Sequence, residues 1–498
     1  MVWRFAAELM VDLGVATLVT VDVGADPDRH PDLDARADAH WRPILQLDRP
    51  EPLFTSRAMA EPDVMQMVID GFEEAVGALD TAVTGKPPET MSNGVASVFR
   101  LVSDAKLDDA RNYQPVNVTD LISGLRTFLG DLFSYDDTSK WRVLLPSPKY
   151  ATTGLKAIVE SVAPAHLLNY MGFLAVIRMA AYIPGQSQQP DHLHALFYHS
   201  VTGRSMFGTR DVSLMCLLST ERLLPGCFAK AALQRLRTEG ADLVARHWIS
   251  QLVDAFTHNV RDLSWIDDLS ALLVRYRLKR RSIASLTAYV GGDCVPFRSP
   301  RVDTGSPLGH FHDVAKLQQR ALLQGISGGN AVPHRYPQLS EMHPYAAFDV
   351  SHRYVRVPSV LFNHSVPTNS TAFALHLSRL ATRLYQALVR VLFDDPYELV
   401  APITEVANMR LRASDLSRCL SRDATRAYGS DGNLFATSDV EKDLLYRSTA
   451  LVLAHSDLSR CLSQDAKRAY GSDGNLFATS DVEKDLLYRS TALVLAHR

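Results

Sequence analysis

His192, His194 and His199 are the side chains best suited by type to hold a metal ion in this sequence. On a β-strand the first two would share a face, as zinc ligands can, but the third falls in no known ligand spacing. They follow Pro190 in polar surroundings, so a solvated loop is the plainer expectation. His310, His312 and Asp313 repeat the pattern in a turn-rich stretch and are read the same way. Gly325-Ile326-Ser327-Gly328-Gly329-Asn330 could cradle a phosphate with backbone amides, yet a P-loop needs Lys and Ser or Thr next, and Ala331-Val332 follow. A plain loop is expected there. Arg275, Arg277, Lys279, Arg280 and Arg281 lie in a helical pattern that scatters them around the axis, which describes a solvated helix surface better than a polyanion-binding stripe. Asn117, Asn363 and Asn369 each open a glycosylation sequon, a signal that carries meaning only in a secreted chain.

The elements that must carry these groups belong to a sizeable folded protein. A chain of 498 residues with 46% apolar and 21% charged residues is long enough for a large buried core and is neither disordered nor fibrous in composition. Its net charge of −3 gives no electrostatic reason to bind nucleic acid. Five cysteines are too few for a disulfide scaffold, and the odd number leaves at least one unpaired within the chain. Met1 to Val23 carries Glu8 and Asp12 where a signal peptide needs an apolar core, so no export signal is read there. The most apolar window, Ala165 to Ile183, is interrupted by His166, Asn169 and Arg178 and reads as a buried helix with no transmembrane segment.

Apolar spacing predicts helices at Val2 to Leu13, stopped by Gly14, and at Asp63 to Leu79, Thr119 to Phe133, Leu155 to Ile183, Val212 to Arg237, Asp242 to Asn259, Ile266 to Leu286 and Thr371 to Phe393. Strands are expected at Thr17 to Val23, Ile44 to Leu47 and Val355 to Phe362. Gly291 to Pro307 has the composition of a connection between domains. The overall fold class is mainly α with a few short β-strands. At the C-terminus, Ser414 to His455 recurs as Ser456 to His497 with two differences, Arg422/Gln464 and Thr425/Lys467. Two near-identical copies make a tandem duplication and not a solenoid, which generally needs three or more drifting repeats.

Several stretches resemble, in order, the neprilysin (M13) zinc metallopeptidases. Leu18 to Gly24, then Ile44-Leu45-Gln46-Leu47-Asp48-Arg49-Pro50 and Leu53-Phe54-Thr55-Ser56-Arg57, are similar to that family's opening strand pair and "LDQP…LPSR". Leu167-Leu168-Asn169-Tyr170-Met171 resembles "LxNYL", Cys216 with Leu223-Leu224-Pro225 resembles "C…xLP", and Leu263-Ser264-Trp265-Ile266-Asp267 resembles "LxWMD". Tyr345-Ala346-Ala347-Phe348 and Val355 to Leu361 resemble "NAYY…IVFPAGIL". The resemblance implies a two-lobed helical architecture and a zinc-dependent endopeptidase.

The family's catalytic helix bears H-E-x-x-H-A-F-D, two histidines one turn apart on zinc and a Glu that activates water. With Phe393-Asp394 holding the end of that string, the equivalent positions are Ala387, Leu388 and Val391, none of which has a lone pair to offer. A slipped alignment does not rescue the motif, since none of the 17 histidines is followed by Glu. The family's third ligand, from E-N-I-A-D, maps to Asp443, one methylene short, and its supporting Asp maps to Arg447. The substrate-anchoring asparagine of "NAYY" maps to Tyr345. No counterpart is seen for the family's N-terminal anchor, first cysteines or C-terminal stretch, so a truncated member is expected.

The sequence reading is therefore a neprilysin-like lobe over 1–295, a zinc-free remnant of the catalytic lobe over 300–455, and the tandem copy over 456–498. The expected function is that of an inactive peptidase homologue without cofactor, extracellular by resemblance, with a peptide or protein as partner. The alternatives are an active zinc metalloendopeptidase and a non-functional fragment.

Overall fold

A computed structural model describes residues 1–25, 43–79, 88–105, 114–133, 141–182, 192–202, 211–224, 241–262, 282–285, 306–327, 346–349, 354–357 and 380–391, with a few short pieces between them. It divides into two compact units, each discontinuous along the chain: residues 1–228 with 292–337, and residues 229–291 with 338–498.

The first unit opens with helix α1, Val2–Leu13, which buries Ala6, Ala7, Leu9, Met10 and Leu13 along one side. Gly14 ends it in the left-handed conformation, φ 64°, so that its N–H and that of Val15 bond back to Met10 and Leu9. A side chain at Gly14 would be strained by that φ, and a Cβ there would lie 2.5 Å from the Gln319 side chain, which would have to shift. Strands β1 (Thr20–Ala25) and β2 (Pro43–Asp48) pair antiparallel, with Thr20 opposite Asp48 and Ala25 opposite Pro43. β4 (Arg142–Leu145) runs parallel to β2, and β3 (Gln114–Asn117) antiparallel to β4, giving the order β1-β2-β4-β3. Tyr150, fully buried just after β4, donates its hydroxyl to the Leu18 carbonyl at 2.7 Å and ties the sheet to the entry of β1.

Helices α2 (Pro62–Leu79), α3 (Glu89–Asp104), α4 (Ser123–Phe133), α5 (Leu155–Ser161), α6 (Pro164–Met179), α7 (His192–Thr202), α8 (Val212–Leu223) and, later in the chain, α10 (Pro307–Ser327) complete this unit. The helix expected over Leu155 to Ile183 is in fact two, bent by 111° at Val162-Ala163. Pro164 is the cause, since it starts a helix readily and forces the residue before it into extended backbone, here ψ 135° at Ala163. Among the described residues no single helix is long and apolar enough to cross a membrane. Phe99 of α3 sits at the centre of the core, its ring 4.8 Å from Tyr170, 6.0 Å from Phe173 and 6.4 Å from Phe54.

In the second unit, β5 (Ser282–Ser285) runs parallel to β7 (Tyr354–Val357), and β6 (Ala347–Asp349) antiparallel to it. A strand thus occupies the end of the segment expected to be a helix over Ile266 to Leu286. Helix α9 (Ala241–Asn259) buries Ile249, Leu252 and Phe256, and the Phe256 ring meets Tyr385 at 5.1 Å. Tyr385 belongs to helix α11, residues 380–391, the described part of the helix expected over Thr371 to Phe393.

Candidate functional site

Helix α11 is the element that would hold a catalytic metal, because it carries the three positions matched to H-E-x-x-H. Leu380, Ala381, Leu384, Tyr385, Leu388 and Val389 are buried, while Thr382, Arg383, Gln386 and Arg390 line one half-buried side. Ala387 and Val391, one turn apart as two ligands must be, are each 1% exposed, and Leu388 is fully buried. What stands at these three positions is a methyl group and two branched hydrocarbons, all buried. These residues do not fit a zinc ion, which takes nitrogen, sulfur or oxygen donors and, in a catalytic site, keeps a position open to water. The remaining residues of the family constellation, Tyr345, Asp443 and Arg447, lie outside the described residues, as do Asn363, Asn369, the basic run Arg275 to Arg281 and the tandem copies apart from Asp415.

The histidine clusters fall on helices, which corrects the loop readings. His192 is the first residue of α7, and Glu74 of α2 explains why the helix begins there. One Glu74 oxygen accepts the N–H of His192 at 3.2 Å and its ring Nδ1 at 2.6 Å, while the other accepts the N–H of Leu193 at 2.8 Å. A carboxylate thus caps two of the free amides at the positive end of the helix. On a helix His192 and His194 point about 200° apart, so the shared face of an H-x-H strand is lost. His199 stacks on Phe54, centroids 5.1 Å apart, and puts its Nε2 3.1 Å from the Leu53 carbonyl. His310, His312 and Asp313 lie in the first turns of α10, where His312 Nδ1 is 3.4 Å from Asp313. Among the described residues, no three His, Cys, Asp or Glu side chains converge as a metal site would require.

Glu74 went unnoticed in the sequence because nothing local marks it; its partner is 118 residues away. Replacing it, Glu74→Ala, is expected to cost about 1–2 kcal/mol, the loss of a charge-assisted helix cap. A lowered urea midpoint with an unchanged slope would show it.

Asn117 ends the edge strand β3 with its side chain exposed, 3.4 Å from Asp120, and Thr119 of its sequon is exposed as well. Cys216 is free and exposed, whereas Cys227 is disulfide-bonded. The first unit also contains a cavity of about 750 Å³ among α1, α2, α3 and α6, walled by Phe5, Phe72, Met91 and Phe173. Asn169, from the stretch that resembles "LxNYL", is among its few polar residues, and the Arg4–Glu8 ion pair stands at its lining.

No sequence-family model matches the chain, and no curated protein matches it by sequence. Solved structures do match. A zinc metalloprotease of Mycobacterium tuberculosis, in complex with an inhibitor, is similar over 93% of this chain and 70% of its own length, with TM-score 0.65 and 12% identity. PepO from Lactobacillus rhamnosis is similar over 91% and 72%, with TM-score 0.60 and 12% identity. A Haemonchus galactose-containing glycoprotein complex is similar over 94% and 71%, with TM-score 0.61 and 10% identity. At such identities the likeness establishes the fold. This chain has the mainly helical fold of PepO-like zinc metalloproteases, as the order of weak motifs in the sequence led us to expect.

Proposed function

We propose that this chain, built on the fold of the neprilysin-type zinc metalloproteases, is a catalytically silent homologue that binds a peptide or protein without cleaving it. The observation that carries the proposal is α11, where Ala387, Leu388 and Val391 stand at the positions matched to two ligands and the general base and are buried. Metallopeptidase catalysis rests on the metal's polarisation of the carbonyl and on a metal-activated water. Without lone pairs at these three positions neither is available, and Asp443 alone is too little to hold the ion. A peptide partner is proposed from what the structurally similar proteases act on. Secretion is proposed from the disulfide at Cys227, a bond that persists in oxidising compartments, and from the exposed Asn117 sequon.

The purified chain is expected to hold no stoichiometric zinc after dialysis and to leave fluorogenic peptides uncleaved. Metal analysis showing about one tightly held zinc per chain, together with chelator-sensitive turnover above background, would replace this reading with that of an active metalloendopeptidase.

A further inference from the structure

We propose that the cavity framed by α1, α2, α3 and α6 is a binding site for an uncharged small molecule with an aromatic body and one hydrogen-bonding group. Helix α6 packs on α1, α2 and α3, but among the described residues α1 packs closely on neither α2 nor α3, and a gap stays open between them. Its volume, about 750 Å³, falls within the roughly 300–1,000 Å³ of small-molecule sites. The floor is apolar: Phe72 and Ala75 of α2 and Phe173 and Val176 of α6 line it and are each at most 5% exposed. The Phe72 and Phe173 rings meet edge to face, centroids 5.4 Å apart, and Phe5 of α1 adds a third ring to the lining. Such walls give water few hydrogen-bond partners and give another aromatic ring favourable edge and face contacts.

A second observation is Gly172, on the α6 side of the cavity. Glycine inside a helix weakens it relative to alanine, and close packing is the usual compensation. Gly71 of α2 has that reason, since a Cβ there would lie 2.5 Å from the Leu196 side chain. Gly172 does not, because a Cβ there would meet nothing within 4 Å. Its missing side chain keeps open a space that no other part of the described chain fills. Asn169, three residues earlier on α6 and half-buried, brings to the lining an amide that can donate or accept a hydrogen bond. The charged side chains of the lining, Arg4 and Glu8, are exposed and paired with each other at 3.3 Å. Neither is left over to select a charged ligand. The occupant is therefore held by its rings and oriented by Asn169, a few polar atoms in an apolar enclosure.

The test is titration of the full chain with N-phenylnaphthylamine, an uncharged aromatic dye whose fluorescence rises when it leaves water. Saturation at about one dye per chain is expected. Naphthol should displace the dye, whereas naphthoate, the same rings bearing a carboxylate, should need a concentration at least about tenfold higher, because its charge loses water without gaining a partner. In Gly172→Leu the new side chain enters the open space, so dye affinity should fall about tenfold or more while the melting temperature does not fall. Absence of saturable binding, equal displacement by naphthoate, or undiminished affinity in folded Gly172→Leu would each overturn the proposal. Should Gly172→Leu fail to fold, Val76→Phe, which fills the cavity from α2, is read in the same way. A wild type that is dimeric by light scattering and a Gly172→Leu that is monomeric would place a second copy of the chain in the cavity, and would equally overturn it.

Discussion

Grafting the zinc motif onto α11 by Ala387→His, Leu388→Glu and Val391→His is expected to destabilise the second unit severely and to restore no peptidase activity. Leu388 is fully buried and Ala387 and Val391 are 1% exposed, so all three new side chains would be buried. An unpaired carboxylate at position 388 costs several kcal/mol, and overpacking by an imidazole in place of the Ala387 methyl adds about 1–3 kcal/mol. Together these approach the entire stability of an ordinary domain, about 5–15 kcal/mol. Leu388→Met, which keeps volume and polarity, should cost under about 1.5 kcal/mol and serves as the control. Thermal melts followed by circular dichroism and a chelator-sensitive peptide assay on all three proteins give the comparison. A folded graft with zinc-dependent turnover would mean that α11 still frames a working site, and that silence rests on three side chains alone.

How much of this was readable beforehand depended on whether the cause was local. Helix α1 and its stop at Gly14 were plain in the sequence because a periodic apolar face and a left-handed cap are both written within fourteen residues. The strands β1 and β2 were plain for the same reason. Helix α3 was missed: Ser92, Asn93 and Gly94 blur its apolar period, and the reason for a small residue lies elsewhere in the fold. A Cβ at Gly94 would stand 2.6 Å from the His166 ring of α6, so the glycine permits close helix packing that no local pattern announces. Helix α7 was mistaken for a loop because its cap comes from Glu74. Strand β5 was hidden by the basic run before it and is set by pairing with β7, a non-local partner. At the candidate site the sequence showed the aliphatic replacements at 387, 388 and 391, since residue type is visible without a structure. It could not show that the three positions are buried, which is what closes them to a metal that must keep a place open to water.

Phe99→Ala is expected to be the most damaging single truncation in the first unit. The side chain is 3% exposed, and its ring makes edge contacts with Tyr170 and Phe173 and a tilted contact with Phe54. Those partners come from α6 and from the segment after β2, so Phe99 joins three separate pieces of the chain. Removing it sacrifices the transfer free energy of a phenyl ring and leaves a cavity that rigid aromatic neighbours cannot fill, about 3–5 kcal/mol in all. In a unit of this size each kcal/mol corresponds to roughly 2 °C, so a melting temperature lower by about 6–10 °C is expected. Leu101→Ala, on the same helix but 38% exposed, loses no comparable burial and should shift the melt by less than about 2 °C. Equal shifts for the two variants would show that the aromatic cluster does not organise the core. The alignment of α3 on α6, and with it the placement of Asn169 at the cavity wall, would then need another cause.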